Sequence, residues 1–159
     1  MTNTIKTTEA TTFPRDIDVP FLKLLGVKLE KMADGEGVVS LAIEEKHLNT
    51  WGTVHGGALL TLADAAMAIA ARAGDPDDRS VVTIELKNMF MLTPTGTIRV
   101  VGSIVQRSVT MAFCEAKVYD ENDKVCCLAT GTFKYFKKMA SRDANGSRIV
   151  KEDQLSIEK

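Results

Sequence analysis

The sequence predicts an α+β domain, an antiparallel sheet laid against one long apolar helix. Three observations carry that class. Residues 56–73 form a single run of small and apolar residues with one acid, Asp64, between His55 and Arg72. Four β-rich runs follow it, separated by short turn-forming segments. Strands and helix are segregated along the chain rather than alternating, which argues against a parallel β-α-β sheet. A chain of 159 residues is long enough for one domain with a real core.

Taken in order, residues 1–18 read as a mobile N-terminal tail, polar and threonine-rich, without the apolar stretch of a signal peptide. Pro20–Gly26 reads as a short helix, with proline in its first turn and glycine past its end. A strand is expected over Val27–Met32, a turn at Asp34-Gly35-Glu36-Gly37, and a second strand over Val38–Ile43. A polar, glycine-rich loop then leads into the long helix, Gly56 to Ala73, which Gly74-Asp75-Pro76 ends. Apolar residues run all round that helix, so it should be buried. Its many alanines let a curved sheet wrap it closely. Ser80–Leu92, Gly96–Arg107, Met111–Tyr119 and Val125–Phe136 are the four strands. Thr93–Gly96, Arg107–Thr110 and Asp120–Lys124 read as hairpin turns between them. The domain therefore spans 19–136, and 137–159 is a polar, charged C-terminal appendage.

Composition narrows the partners. Hydrophobic residues make up 45% and charged residues 26%, with a net charge of −1, so neither nucleic acid nor an anionic membrane surface is an expected partner. No apolar run reaches the usual length of a membrane span. The three cysteines, Cys114, Cys126 and Cys127, are odd in number and lie in strand segments. They read as small buried hydrophobes of a reducing compartment, the cytoplasm. With two histidines, His47 and His55, and no ligand spacing, no metal is expected.

The candidate chemistry gathers around the start of the long helix. A carboxylate on a buried helix costs several kcal/mol unless it is paired or has work to do, which singles out Asp64. It is suited to act as a general base on water or as a nucleophile. At the helix start, Gly56 and Gly57 offer backbone N–H groups without intrahelical partners, at the positive end of the macrodipole. Such donors suit an oxyanion developing on a carbonyl. Gly57 and Trp51 are the expected substrate contacts beside them. Gly56 and Asp64 are eight residues apart, roughly 12 Å along the axis at 1.5 Å per residue. One carbonyl cannot touch both within one chain. If both act on one substrate, the acid comes from a second copy, and the sites lie at a homodimer interface, two per dimer.

The pattern His47-x-Asn49-x-x-Gly52-x-x-His55-Gly56-Gly57, with Asp64 seven residues after the second glycine, resembles the hotdog-fold acyl-CoA thioesterases of the phenylacetate-pathway (PaaI) type. The resemblance covers about residues 20–136. It implies a curved antiparallel sheet around a central helix, and dimers that often pair into tetramers. It implies hydrolysis of an acyl-CoA to a carboxylic acid and free thiol, with no metal and no cofactor other than the coenzyme A carried by the substrate. By position, Asp64 matches the acid that activates water or attacks the thioester, and the Gly56 N–H matches the oxyanion donor. Asn49 matches the residue that helps hold the carbonyl or water, and His55 the histidine that orders the loop. Thr83 matches a strand hydroxyl that orients the water. The strand carrying Thr83 is one residue longer than the family's, and Met89 and Met91 share the parity of its polar face. A bulge near Lys87-Asn88 accounts for both. Met67, Met89, Met91 and Met111 are candidates for an acyl pocket, with core filling as the competing use. Arg72, Arg79, Lys87 and Arg107 are the local candidates for the coenzyme's phosphates. Two other readings remain: a non-catalytic acyl-CoA-binding hotdog domain, against which the buried acid speaks, and a hotdog enoyl-CoA hydratase or dehydratase, which carries a different His–acid arrangement.

Overall fold

A computed structural model describes residues 19–136. The expectations for 1–18 and 137–159 lie outside those residues. The elements are α1 (Pro20–Leu25), β1 (Lys28–Ala33), β2 (Glu36–Ala42), a 3₁₀ turn at Glu45–His47, α2 (Gly56–Ala73), β3 (Ser80–Phe90), β4 (Thr97–Arg107), β5 (Met111–Tyr119) and β6 (Val125–Phe136). They match the sequence reading closely.

The six strands form one antiparallel sheet in the order β1-β2-β4-β5-β6-β3. That order corrects one expectation. Thr93–Gly96 is not a hairpin turn, because β3 pairs with β6 at the far edge and β4 pairs with β2. The chain leaving β3 instead crosses the end of the sheet. The N–H groups of Met91 and Leu92 donate to the Cys126 carbonyl, Glu121 N–H donates to the Thr95 carbonyl, and Ile43 N–H donates to the Gly96 carbonyl. Turn-forming residues there serve a crossing that local sequence cannot distinguish from a hairpin.

Helix α2 lies on the sheet's inner face, against β2, β4, β5 and β3. Alternate residues of β2, β4, β5 and β6 point at it: Val39 and Leu41, Ile98 and Val100, Ala112, Cys114, Ala116 and Val118, then Ala129 and Phe133, all buried. The closeness of the packing rests on a paired set of small residues. Gly37 of β2 faces Gly102 of β4 across the ladder. A Cβ on Gly37 would sit 2.4 Å from the Ala66 carbonyl oxygen, and one on Gly102 2.5 Å from the same atom. Both positions therefore exclude every side chain, and the helix is carried on the bare sheet at Ala66. Gly37 belongs to this contact and not to the turn expected at 34–37. The turn is formed by Asp34 and Gly35, both at positive φ (55° and 71°), the geometry of a tight hairpin.

Among the described residues α2 is long and apolar enough, by length and composition alone, to cross a membrane, contrary to the sequence reading. The sheet accounts for its apolarity: Leu59, Leu62, Ala63, Ala66, Met67, Ile69, Ala70 and Ala71 are buried. The helix is not covered all round. Leu60, Thr61, Asp64, Ala68 and Arg72 form a stripe that the single chain leaves partly open. All three cysteines are free and buried. Burial raises the thiol of Cys114 to about 12. Neighbours Cys126 and Cys127 are both buried because the β5–β6 ladder slips there, Val118 facing Cys127 while Tyr119 faces Val125.

Candidate active site

The expected site residues fall into two groups, one at the start of α2 and one at its middle. At the start, Asn49 organises the loop. Its Oδ1 accepts from Trp51 N–H (2.9 Å), Thr53 N–H (3.2 Å) and Thr53 Oγ1 (3.1 Å), and its Nδ2 donates to Thr53 Oγ1 (2.8 Å). A side-chain carbonyl that gathers the N–H groups two and four residues on folds a polar segment into a fixed turn. His55 is the N-cap of α2, and its Nδ1 accepts from Gly57 N–H at 2.9 Å. That bond leaves the remaining ring proton on Nε2. The His55 carbonyl takes the N–H groups of Ala58 and Leu59. What remains at this helix start is the N–H of Gly56, which has no acceptor among the described residues.

The two glycines thus differ in use. Gly57 does not present a free donor. A Cβ there would lie 2.9 Å from His55 Nδ1, so the glycine admits the capping ring. Gly56 presents the donor, beside the ring of Phe90, which a Cβ at Gly56 would meet at 3.4 Å. The sequence reading missed Phe90 as a wall of this site, because the parity of its strand depends on where the bulge falls. Trp51 stands at the loop tip, 86% exposed. His47, part of the sequence pattern, is a structural clamp. It is buried, its Nδ1 accepts from Glu44 N–H at 2.9 Å, and its Nε2 lies 2.7 Å from the Leu25 carbonyl at the end of α1.

At the middle of α2, Thr83 Oγ1 donates to Asp64 Oδ1 at 2.8 Å. The bulge in β3 falls between Thr83 and Glu85, at Ile84, rather than near Lys87-Asn88. Its position is what turns both Thr83 and Leu86 inward, three residues apart on a strand whose period is two. Asp64 and Thr83 open onto a cavity of about 500 Å³ lined mostly by apolar side chains, with Leu22 of α1, Ile69 and Arg72 of α2 and Leu86 of β3 among them. None of the four methionines lines it: Met67 is core, and Met89 and Met91 are exposed. Neither do Asn49, His55 or Gly56. One chain therefore brings the acid to the hydroxyl and the loop to the helix start, and keeps the two groups apart.

Two of the basic residues considered for phosphates are committed elsewhere. Arg79 and Arg107 both donate to the buried carboxylate of Asp75, at 2.7 Å and 3.0 Å. Among the described residues no group of three His, Cys, Asp or Glu side chains stands close enough to hold a metal ion.

A curved antiparallel sheet wrapped on one central helix, with a polar loop capping that helix and an acid at its middle, defines a hotdog-fold thioester hydrolase. The chain belongs to the thioesterase superfamily, whose family profile matches residues 51–127. It is 34% identical over 124 residues to a Pseudomonas aeruginosa protein named as an esterase (PA0474), covering 72% of this chain and 87% of the relative. It is 26% identical over 115 residues to the 1,4-dihydroxy-2-naphthoyl-CoA hydrolase of Listeria monocytogenes, covering 72% of this chain and 94% of the relative. Among solved structures, a mutant form of the phenylacetic acid degradation protein PaaI from Thermus thermophilus superposes with a TM-score of 0.68 at 30% identity, covering 74% of this chain and 100% of that one. The Escherichia coli PaaI protein superposes with a TM-score of 0.71 at 20% identity, over 78% of this chain and 89% of that one, a likeness of fold.

Proposed function

We propose that the protein is an acyl-CoA thioesterase of the cytoplasm, with two composite sites at the interface of a homodimer and with dimers pairing into tetramers. The observation that carries the reading is the Thr83–Asp64 hydrogen bond at the rim of an apolar cavity. It ties down Oδ1 and leaves Oδ2 to meet a water.

In this mechanism the water oxygen bonds to the thioester carbonyl carbon while its proton passes to the carboxylate of Asp64. The carbonyl electron pair moves onto oxygen, and the resulting oxyanion is held by the Gly56 N–H of the other copy, at the positive end of α2. Asn49 and His55 fix the loop so that this donor points into the site, and Gly57 and Trp51 flank the bound substrate. Collapse of the intermediate re-forms the carbonyl and breaks the C–S bond. The departing sulfur takes the proton back from Asp64, giving the acid and free coenzyme A. No cofactor beyond the substrate's own coenzyme enters the chemistry. The acyl group occupies the cavity beside Asp64. The roughly 12 Å between Gly56 and Asp64 on a straight helix supports a second copy as the source of the acid, if both act on one substrate. The apolar residues left exposed on β3, an edge strand, support such pairing: Val82, Ile84, Met89 and Phe90.

The decisive variant is Asp64→Asn. Thiol release from a panel of acyl-CoAs is expected to fall by about a hundredfold or more, the usual contribution of a general base, with the assembly still folded. Near-normal turnover would remove Asp64 from the chemistry. Absorbance of enoyl-CoA, followed in parallel, reports a hydratase. Binding without turnover reports a storage domain. Single turnover in ¹⁸O-labelled water, followed by mass analysis of Asp64, separates general base from nucleophile.

A further inference from the structure

Arg72 stands eight residues beyond Asp64 on α2, so roughly 12 Å separates them along the axis at 1.5 Å per residue. Both line the same cavity, and the wall between them is apolar: Ala65, Ala68 and Ile69 of the helix, faced by Leu22 and Leu86. A volume of about 500 Å³ suits a small organic group. Asp64, the carboxylate that lines this cavity, already takes the Thr83 hydroxyl. Arg72 Nε is buried and has no hydrogen-bond partner among the described residues. Its place in the last helical turn suits the helix dipole, which explains a cation there. The dipole does not explain why Nε is buried with its donor unmet, an arrangement that costs stability unless something supplies the acceptor.

We infer that Arg72 determines specificity by receiving an acceptor oxygen at the far end of the acyl group. The substrate class is an acyl thioester that is apolar in its middle and ends in oxygen. A terminal carboxylate is the strongest form, because it meets the guanidinium fork with two parallel bonds. A ring hydroxyl, which meets it with one, is the weaker source of the same chemistry. This inference rests on Asp64 marking the reacting end of the cavity.

The test compares kcat/KM within matched pairs: adipoyl-CoA with hexanoyl-CoA, suberoyl-CoA with octanoyl-CoA, and para-hydroxybenzoyl-CoA with benzoyl-CoA. Each pair is run on the native protein, Arg72→Gln and Arg72→Lys. The native protein is expected to favour the oxygen-ended member of at least one pair by about tenfold, the worth of a charge-assisted hydrogen bond. Arg72→Gln brings the ratio close to one, and Arg72→Lys keeps part of it. The dicarboxyl pairs and the hydroxybenzoyl pair distinguish the two oxygen sources. A native ratio near one in every pair, or a native preference that survives Arg72→Gln, overturns the inference. So does a weakened dimer in Arg72→Gln with all ratios unchanged, which assigns the guanidinium to a second copy. Calorimetric binding of free adipate against free hexanoate separates this inference from the reading of Asp64. A preference for adipate lost in Arg72→Gln supports it even if no thioester is hydrolysed, and no preference overturns it.

Discussion

Asp64 and Asp75 are carried by the same helix and the turn that ends it, eleven residues apart, and the fold treats them in opposite ways. The Asp75 carboxylate is fully enclosed, with 0% of its side chain exposed. Oδ2 accepts from the Arg79 backbone N–H (2.8 Å) and Arg79 Nε (3.1 Å), and Oδ1 from Arg79 Nη2 (2.7 Å) and Arg107 Nη1 (3.0 Å). Arg79 in turn donates to the Val109 carbonyl and lies over the ring of Tyr135, whose hydroxyl bonds the Ala71 carbonyl near the end of α2. Every acceptor site is used, and the turn, the β4–β5 hairpin and the helix end are tied at one point. Among the described residues Asp64 takes one hydrogen bond, from Thr83, and opens onto a cavity. The difference separates an acid that closes a structure from an acid with capacity left for a substrate.

The comparison breaks first at Asp75. Asp75→Asn removes the charge that two arginines share, and the loss is expected to be about 3 kcal/mol, as for a buried pair deprived of one partner. For a chain of this size that corresponds to a fall in melting temperature of roughly 10 °C. Hydrolysis measured well below that temperature should stay close to native, the reverse of the Asp64→Asn phenotype. Calorimetry and thiol release on the two variants cross-check each other. A stable but inactive Asp75→Asn would erase the distinction between the two acids.

How much of this was legible in the sequence depends on the range of the interaction. The bounds of α2 and the six strands follow from local pattern, and the structure agrees with them. Asp64 stands out in the sequence as the acid on a buried helix, yet the helix leaves a stripe open and Asp64 lies on it. Asp75, whose side chain is enclosed, sits among turn residues where an acid draws no notice. Its partner Arg107 is 32 residues away on another strand, a contact no spacing rule reaches. The crossing after β3 was hidden for the same reason, since Thr93–Gly96 looks alike in a hairpin and in a crossing. Broken parity predicts a bulge near Lys87-Asn88, several residues beyond its position at Ile84, because parity shows that a slip exists and not where it occurs. Gly37 and Gly102 escaped as well. Their meaning is the approach of Ala66, which only the packed helix reveals.

A smaller effect is expected at Thr83, where the comparison can be sharpened. Thr83→Val removes the hydrogen bond that distinguishes the two oxygens of Asp64 but leaves the charge in place. A hydrogen bond to a charged group contributes about 1.5–3 kcal/mol, so kcat should fall by roughly tenfold to a hundredfold. KM should change little if the hydroxyl orients the acid without touching the acyl chain. Thr83→Ser restores the hydroxyl and should recover most of the rate. A Thr83→Val enzyme with native kcat would mean that the carboxylate is held by something other than this bond.

The gentlest probe is acid, because it acts on Asp75 without altering the sequence. The Arg79 side-chain hydrogen bonds hold the Asp75 carboxyl below its ordinary value, with the Arg79 backbone N–H and the charges of Arg79 and Arg107 adding to them against the opposing effect of burial. Since the folded value lies below the unfolded one, the unfolded chain binds more protons in the interval between them, and stability there rises with pH. The contribution of Asp75 is therefore complete above the ordinary carboxylate value, about 3.9, and is lost as pH falls below it through the folded value. Asp120, held down chiefly by the backbone N–H groups of Lys124 and Asn122, adds to the same limb. Denaturant titrations at successive pH values below about 4 should then show a shallower acid slope in Asp75→Asn than in the native protein. A residual slope should remain from Asp120. Equal slopes would place the arginine clasp around Asp75 among contacts that shape the turn without holding its charge.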